Sequence, residues 1–202
     1  DDSPDIVKIV GDGDTLTDIP PVPAKKGYAG QWDATDFTNI TADRVVRAIY
    51  TELTVPTLSQ GDLTITGIEG TTFGYFTKLV YQPVTDEQRL TVAGDLIKKV
   101  AKDKKLVNVF EVQLLHYNRQ IQPDGQIQLK IKLSEELQQY TNLQVVWLSE
   151  DQQPLVLDCT VEGAYLTFTT DRVGQWALIG DPPKKGISIT IPKRNISGIS
   201  AP

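Results

Sequence analysis

Nucleophilic catalysis needs a base beside the nucleophile, and this sequence holds one imidazole, His116, and one thiol, Cys159. A single Cys–His dyad is the most that such a pair allows. Both stand in strand-like runs among apolar neighbours, Leu114 and Leu115 beside His116, and Leu157 and Val161 around Cys159. Those settings point to structural roles, because a thiol held among apolar groups behaves as a small hydrophobe. A glycosidase needs only two suitably spaced carboxylates, and the 26 acidic residues offer many pairs. Most of them fall in turns or on polar strand faces, where solvation explains them.

Gly11-Asp12-Gly13-Asp14 has the composition of a calcium loop. An EF-hand, however, spreads its ligands over about twelve residues and closes with a bidentate Glu, which does not follow here, so a hairpin turn is expected. The sequence contains no phosphate-cradling glycine loop, dinucleotide fingerprint or histidine cluster. The expectation is no catalytic, cofactor-binding or metal-binding residue, and no enzyme. Exposed aromatics would be the remaining chemistry, since carbohydrate-binding modules stack sugars on Trp and Tyr. Trp32, Trp147 and Trp176 all lie in or beside expected strands, and core packing is the expectation for each.

Composition narrows the partners. Hydrophobic residues make up 40% and charged residues 23%, enough for a packed core and too apolar for a disordered chain. A net charge of −6 opposes a sequence-independent grip on phosphates, so no nucleic acid is expected as a partner. The densest basic run, Lys98, Lys99, Lys102, Lys104 and Lys105, reads as a solvated face or turn. No stretch reaches the roughly 18 apolar residues of a membrane-spanning helix. Asp1-Asp2-Ser3-Pro4 lacks the pattern of a signal peptide and the sequence has no Met, so an excised or processed fragment is expected. One cysteine excludes a disulfide within the chain and a cysteine-based zinc site.

The elements that must position these residues read as strands throughout. Runs rich in Val, Ile, Thr, Tyr and Leu recur at Ile6–Val10, Arg44–Tyr50, Leu63–Ile68, Thr72–Tyr81, Leu106–Tyr117, Gln126–Leu133, Leu143–Ser149, Leu155–Val161, Tyr165–Thr169 and Gln175–Ile179. Alternation is strongest at Ile127, Leu129, Ile131 and Leu133, which share one face while Gln and Lys fill the other. Pro123-Asp124-Gly125 supplies a turn before that strand. With Glu150–Pro154 and Glu162-Gly163 as connections, the three runs from Leu143 to Thr169 predict a meander. Helical signals are few. Thr85-Asp86-Glu87 is a capping sequence and Asp95–Lys104 is rich in helix formers, but Leu90-Thr91-Val92 favours a strand, so Asp86–Lys105 reads as mixed. Ser134–Tyr140 reads as one helical turn.

Glu52–Gly61, with Pro56, Ser59 and Gly61, makes a module boundary, and Pro182-Pro183-Lys184-Lys185-Gly186 ends the last strand. Three parts are expected: residues 1–52, residues 53–181 with room for an N-terminal subdomain over 53–105, and a spacer over 182–202 in which Ile187–Ile191 alternates like an edge strand.

Gly11-Asp12-Gly13-Asp14, the stretch Pro20-Pro21-Val22-Pro23, Lys26-Gly27-Tyr28, Gly30-Gln31-Trp32 and Asp36–Asp43 leading into Val45–Tyr50 follow one another in a recognisable order. By these pieces the first fifty residues resemble the Listeria/Bacteroides, or internalin-type B, repeats of bacterial surface proteins. Gln31 departs from the repeat, which has Gly directly before Trp. The resemblance implies a small β-grasp-like fold, and Tyr28, Trp32, Phe37 and Tyr50 are large enough to supply most of its core. The run from Val109–Leu114 through Gln122-Pro123-Asp124-Gly125 to Phe168-Thr169-Thr170-Asp171 and Trp176–Ile179 is similar to immunoglobulin-like modules of Firmicutes surface proteins. Together these imply a mainly β chain, a β-grasp-like repeat followed by an immunoglobulin-like β-sandwich. The implied role is that of a non-catalytic extracellular module on a bacterial cell surface, a spacer or adhesion unit for a host or matrix protein or a glycan, beside neighbouring modules of the same polypeptide. The alternative is a carbohydrate-binding module attached to a secreted glycoside hydrolase.

Overall fold

The computed structural model describes residues 5–149 and 153–183, and the chain is mainly β. The strands in order are β1 (Tyr28–Trp32), β2 (Ala48–Glu52), β3 (Thr54–Val55), β4 (Thr57–Gln60), β5 (Leu63–Gly67), β6 (Phe73–Gly74) and β7 (Thr77–Pro83). Helix α1 (Glu87–Val100) follows, then β8 (Lys105–His116), β9 (Arg119–Ile121), β10 (Ile127–Lys132), a 3-10 turn (Leu137–Gln139), β11 (Thr141–Leu148), β12 (Leu155–Asp158), β13 (Thr160–Glu162), β14 (Tyr165–Thr170) and β15 (Gly174–Asp181).

Two antiparallel sheets dominate. One has the order β13-β14-β10-β5-β4; the other has the order β12-β11-β15-β8-β7, with β9 taking over the β15 side of β8 beyond Val112. Period-two patterning explains the first sheet. Ile127, Leu129 and Ile131 of β10 are buried, as are their register partners Leu63 and Ile65 of β5 and Leu166 and Phe168 of β14, while Gln128, Lys130 and Lys132 are exposed. These inward side chains meet Phe110, Val112 and Leu114 of β8, Leu143 and Val145 of β11, and Trp176 and Leu178 of β15 in one core. Trp176 is fully buried, its ring 4.9 Å from that of Phe168.

The second sheet is buried on both faces, so β15 reads as a continuous apolar run, Trp176-Ala177-Leu178-Ile179. Its outer face, with Val109, Val146, Ala177 and Ile179, is covered by α1 through Ala93, Leu96 and Ile97. That spacing of three and four puts the apolar groups on one stripe of a helix. Of the region Asp86–Lys105 that reads as mixed, Glu87–Val100 is thus helical and Lys105 opens β8. Asp86 Oδ1 accepts the Arg89 amide at 2.8 Å as the N-cap, Lys98 and Lys99 sit at the dipole's negative end, and Thr91 folds its hydroxyl back onto the Glu87 carbonyl. Burial of Ala93, Leu96 and Ile97 outweighs the β preference of Leu90-Thr91-Val92.

Several expected strands differ. Residues 6–10 join no strand ladder, Lys8 pairs with Asp18 through its side chain, and Ile9 is 94% exposed. Thr72–Tyr81 is broken into β6 and β7 by Tyr75 and Phe76. The expected meander is divided: β11 and β12 pair in one sheet, β13 and β14 in the other, and the chain crosses between the sheets at Cys159. A strand that leaves one sheet and enters its partner at a corner is how a sandwich joins its layers. The expected spacer over 182–202 falls, from residue 184 on, outside the described residues, as do Ile187–Ile191 and Glu150–Gln152.

Among the described residues every fully buried hydrophobic side chain lies between Leu63 and Ile179. Residues 5–52 hold together differently, around the β1–β2 pair. Beyond its end the Asp33 amide donates to the Arg47 carbonyl and the Arg47 amide to Asp33 Oδ1, and the Gly11–Asp14 segment is a turn closed by the Asp14 amide on the Gly11 carbonyl, with Gly13 at φ +78° and an Asp14–Ile40 bridge. Tyr28, Trp32, Phe37 and Tyr50 are each half-buried rather than enclosed, so the expected core of this part is an aromatic cover over a hairpin.

Candidate functional site

Among the described residues, polar and aromatic side chains gather where β1–β2 meets one end of the sandwich. Glu52 closes β2, Thr77 opens β7 and His116 ends β8 directly opposite Thr77 in register. Glu52 Oε2 stands 3.4 Å from His116 Nε2, and the Thr77 hydroxyl 3.0 Å from His116 Nδ1. The other Glu52 oxygen accepts the Phe76 amide at 3.2 Å. Backbone bonds run alongside, from the Leu53 amide to the Gly27 carbonyl and from the Tyr75 amide to the Leu53 carbonyl.

Aromatic rings close over these polar groups. Phe76 stacks on Tyr117 at 5.2 Å and leans on Tyr28 at 5.7 Å and Tyr75 at 5.1 Å; His116 meets Tyr117 edge-on at 4.5 Å. The Tyr28 and Tyr117 hydroxyls bond each other, and that bond, with the Glu52 charge nearby, pushes the Tyr117 phenol up to about 12. Two glycines make the closeness possible. A Cβ on Gly74 would lie 2.7 Å from both Glu52 Oε1 and His116 Cε1, and one on Gly27 would strike the rings of Tyr75 and Phe76.

Tyr117 also carries local strain. With Asn118 it forms the two-residue turn between β8 and β9, and both sit at positive φ, +47° and +62°. Asn tolerates that region; Tyr is rarely found there, at a cost on the order of 1 kcal/mol. A positive-φ turn matches the twist of the flanking strands, and the ring contacts hold Tyr117 in it.

Hydroxyl, imidazole and carboxylate stand here in the order of a hydrolytic triad. Thr77 is only 6% exposed, and the chain of contacts ties together the ends of β2, β7 and β8. Cys159 is not part of it. Its Sγ donates to the Leu143 carbonyl at 3.1 Å, and burial, reinforced by the Asp158 charge, pushes its pKa up to about 11. The imidazole and thiol singled out from sequence therefore have separate partners.

The three tryptophans divide as well. Trp176 is core; Trp147 is half-buried with the Arg172 guanidinium 4.7 Å over its ring; Trp32 is half-buried with its indole N–H on the Pro20 carbonyl. On the outer face of the five-stranded sheet Tyr165 stands beside Lys130, 4.6 Å from ring to ammonium, among Thr and Lys. Glu52, Thr77, Phe76 and Tyr117 are not legible as a group in the sequence, because 89 residues separate Tyr28 from Tyr117 and the group forms only where the β1–β2 hairpin meets the paired ends of β7 and β8. The one local signal was Tyr-Asn between two strand-like runs. No protein-family model matches this chain, and no curated protein is significantly similar to it.

Proposed function

We propose that this chain is a non-catalytic module of a bacterial cell-surface protein, a spacer or adhesion unit that holds a small repeat-like hairpin part in fixed orientation on an immunoglobulin-like sandwich. The observation that carries the reading is the joint itself. Glu52, His116, Thr77 and the Tyr28–Phe76–Tyr117 rings spend the chain's only imidazole and its densest aromatic cluster on attachment between two parts. A spacer has to transmit orientation from one part to the next, and bonded polar groups under stacked rings resist bending better than a bare linker does. The surface assignment rests on the resemblances carried by the motifs of residues 11–50 and of residues 109–179, the second of which implies two facing sheets such as those that enclose Trp176.

The outer face of the five-stranded sheet offers the carbohydrate-binding alternative no row of stacking rings, since Tyr165 is the one exposed aromatic there among the described residues. Glycan and matrix-protein binding assays, run beside hydrolase screens on the native chain and on His116→Ala/Cys159→Ser, test the proposal. It expects no turnover in any screen. Turnover that disappears in the double variant overturns it.

A further inference from the structure

Residues 20–23 lie against the β1–β2 hairpin in a way that the joint does not require. Prolines at 20, 21 and 23 fix φ, and Ile19, Pro20 and Val22, each preceding a proline, are pushed out of the helical region, so the segment is biased to polyproline II. That helix has three residues per turn. Pro20 and Pro23 therefore present their carbonyls on the same side. Both are taken by aromatic donors of the hairpin: Trp32 Nε1 donates to the Pro20 carbonyl at 2.8 Å, and the Tyr50 hydroxyl donates to the Pro23 carbonyl at 2.9 Å.

Hairpin register explains the fit. Gly30 pairs with Tyr50, and Trp32 stands two residues along β1 on the same face, so Trp32 and Tyr50 flank a floor with no side chain. Val22 fills that floor: a Cβ on Gly30 would lie 2.7 Å from Val22 Cγ1 and 3.1 Å from the Tyr50 ring. Beyond the prolines, the Lys25 ammonium sits 4.2 Å from the Tyr28 ring and 5.2 Å from that of Tyr50.

Aromatic walls whose N–H and O–H groups donate to prolyl carbonyls one turn apart are the chemistry by which proteins recognise proline-rich peptides. We propose that the Tyr28–Gly30–Trp32–Tyr50 face is a binding groove for an extended peptide with prolines three residues apart and a cation two residues after the second, and that Pro20–Lys25 occupies it in cis as a built-in competitor. The inference goes beyond the surface-module reading and does not depend on it. The ordered prolines give up little conformational entropy on docking, and the same holds for a peptide supplied in trans.

The test titrates a synthetic peptide copying residues 16–26 into the full chain and into the full chain carrying Pro20→Gly, Pro21→Gly and Pro23→Gly, followed by the Trp32 indole N–H signal. The expected result is binding at least tenfold tighter to the triple variant, whose own segment no longer competes. Equal affinity for the two chains, or binding to neither, overturns the proposal. Should the triple variant lose the β1–β2 pairing, Tyr50→Phe in the otherwise native chain decides: it keeps the ring and removes the donor to Pro23. Tryptic cleavage after Lys25 and Lys26 is then expected to accelerate about fivefold, the change that one hydrogen bond carries, and an unchanged rate overturns the groove.

Discussion

Glu52, the last residue of β2, reaches His116, the last residue of β8, at 3.4 Å, and this pair joins the N-terminal hairpin to the sandwich. His116 is held from the other side by Thr77, so the imidazole is fixed at both nitrogens, and it charges Glu52's contact into an ion pair whenever it is protonated. What the joint needs from sequence is small residues where the two parts approach and large ones around them, and Gly74 and Gly27 supply the first.

Gly74→Ala is expected to part Glu52 from His116, because the new methyl would stand 2.7 Å from His116 Cε1, in a ring, and 2.7 Å from Glu52 Oε1, which gives way only by leaving the Phe76 amide and His116. Crowding of this kind costs about 1–3 kcal/mol. Urea unfolding of the variant, together with the His116 ring signals in its NMR spectrum, checks both the loss and its location.

The tryptophans are expected to rank by burial. Trp176→Ala removes a fully buried ring from the sandwich core and is expected to cost about 3–5 kcal/mol. Trp32→Ala exposes a half-buried ring and one hydrogen bond, and about half that loss or less is expected. Chemical denaturation of the two variants beside the native chain gives the comparison; equal losses would show that Trp32 lies in a core of its own.

Tyr117 sets the alkaline limit of the joint. Its phenol is pushed up to about 12, by the hydrogen bond to Tyr28 foremost, so the folded chain favours the neutral phenol over the phenolate. The stabilisation is therefore full below the ordinary tyrosine value near pH 10 and is lost as pH rises through about 12. Spectrophotometric titration is expected to show two late-titrating tyrosines, Tyr117 and Tyr81, whose phenol burial pushes up, and Tyr28→Phe to bring down the first alone.

Cys159 is expected to be inert. With its thiol pushed up to about 11 by burial, the thiolate fraction at pH 8 is about a hundredfold below that of a free cysteine. Alkylation by iodoacetamide in the folded chain should be slower by about that factor and recover on unfolding. Cys159→Ser should fold and pair its sheets as the native chain does.

Much of the sandwich was legible in the sequence because β10 alternates without exception, and its inward residues Ile127, Leu129 and Ile131 are the centre of the core. The strand from Leu106 to Tyr117 was equally clear. Helix α1 was obscured because its β-favouring residues Leu90-Thr91-Val92 include Val92, an apolar residue that lies 53% exposed, off the buried stripe of Ala93, Leu96 and Ile97. The meander was misread because hairpin chemistry at Glu162-Gly163 fixes only the local turn; which sheet receives β12 is decided at Cys159 by packing across the core. The candidate site was illegible for a related reason. Glu52, Thr77 and His116 are ordinary residues in sequence, and only the register of β7 on β8, with the hairpin laid across their end, makes them one cluster. The cover of Pro20–Pro23 over Trp32 and Tyr50 left a trace in the proline spacing, but its partner face depends on the pairing of Gly30 with Tyr50.

The central claim, that the joint holds the hairpin part at a fixed orientation on the sandwich, is tested most directly by electron–electron distance measurement between spin labels at Ala42→Cys and Thr169→Cys in a Cys159→Ser background, with and without Glu52→Ala. Both label positions are exposed, one in each part. The account predicts a single narrow distance distribution with Glu52 present and a broad one in its absence. A distribution already broad with Glu52 in place would contradict it.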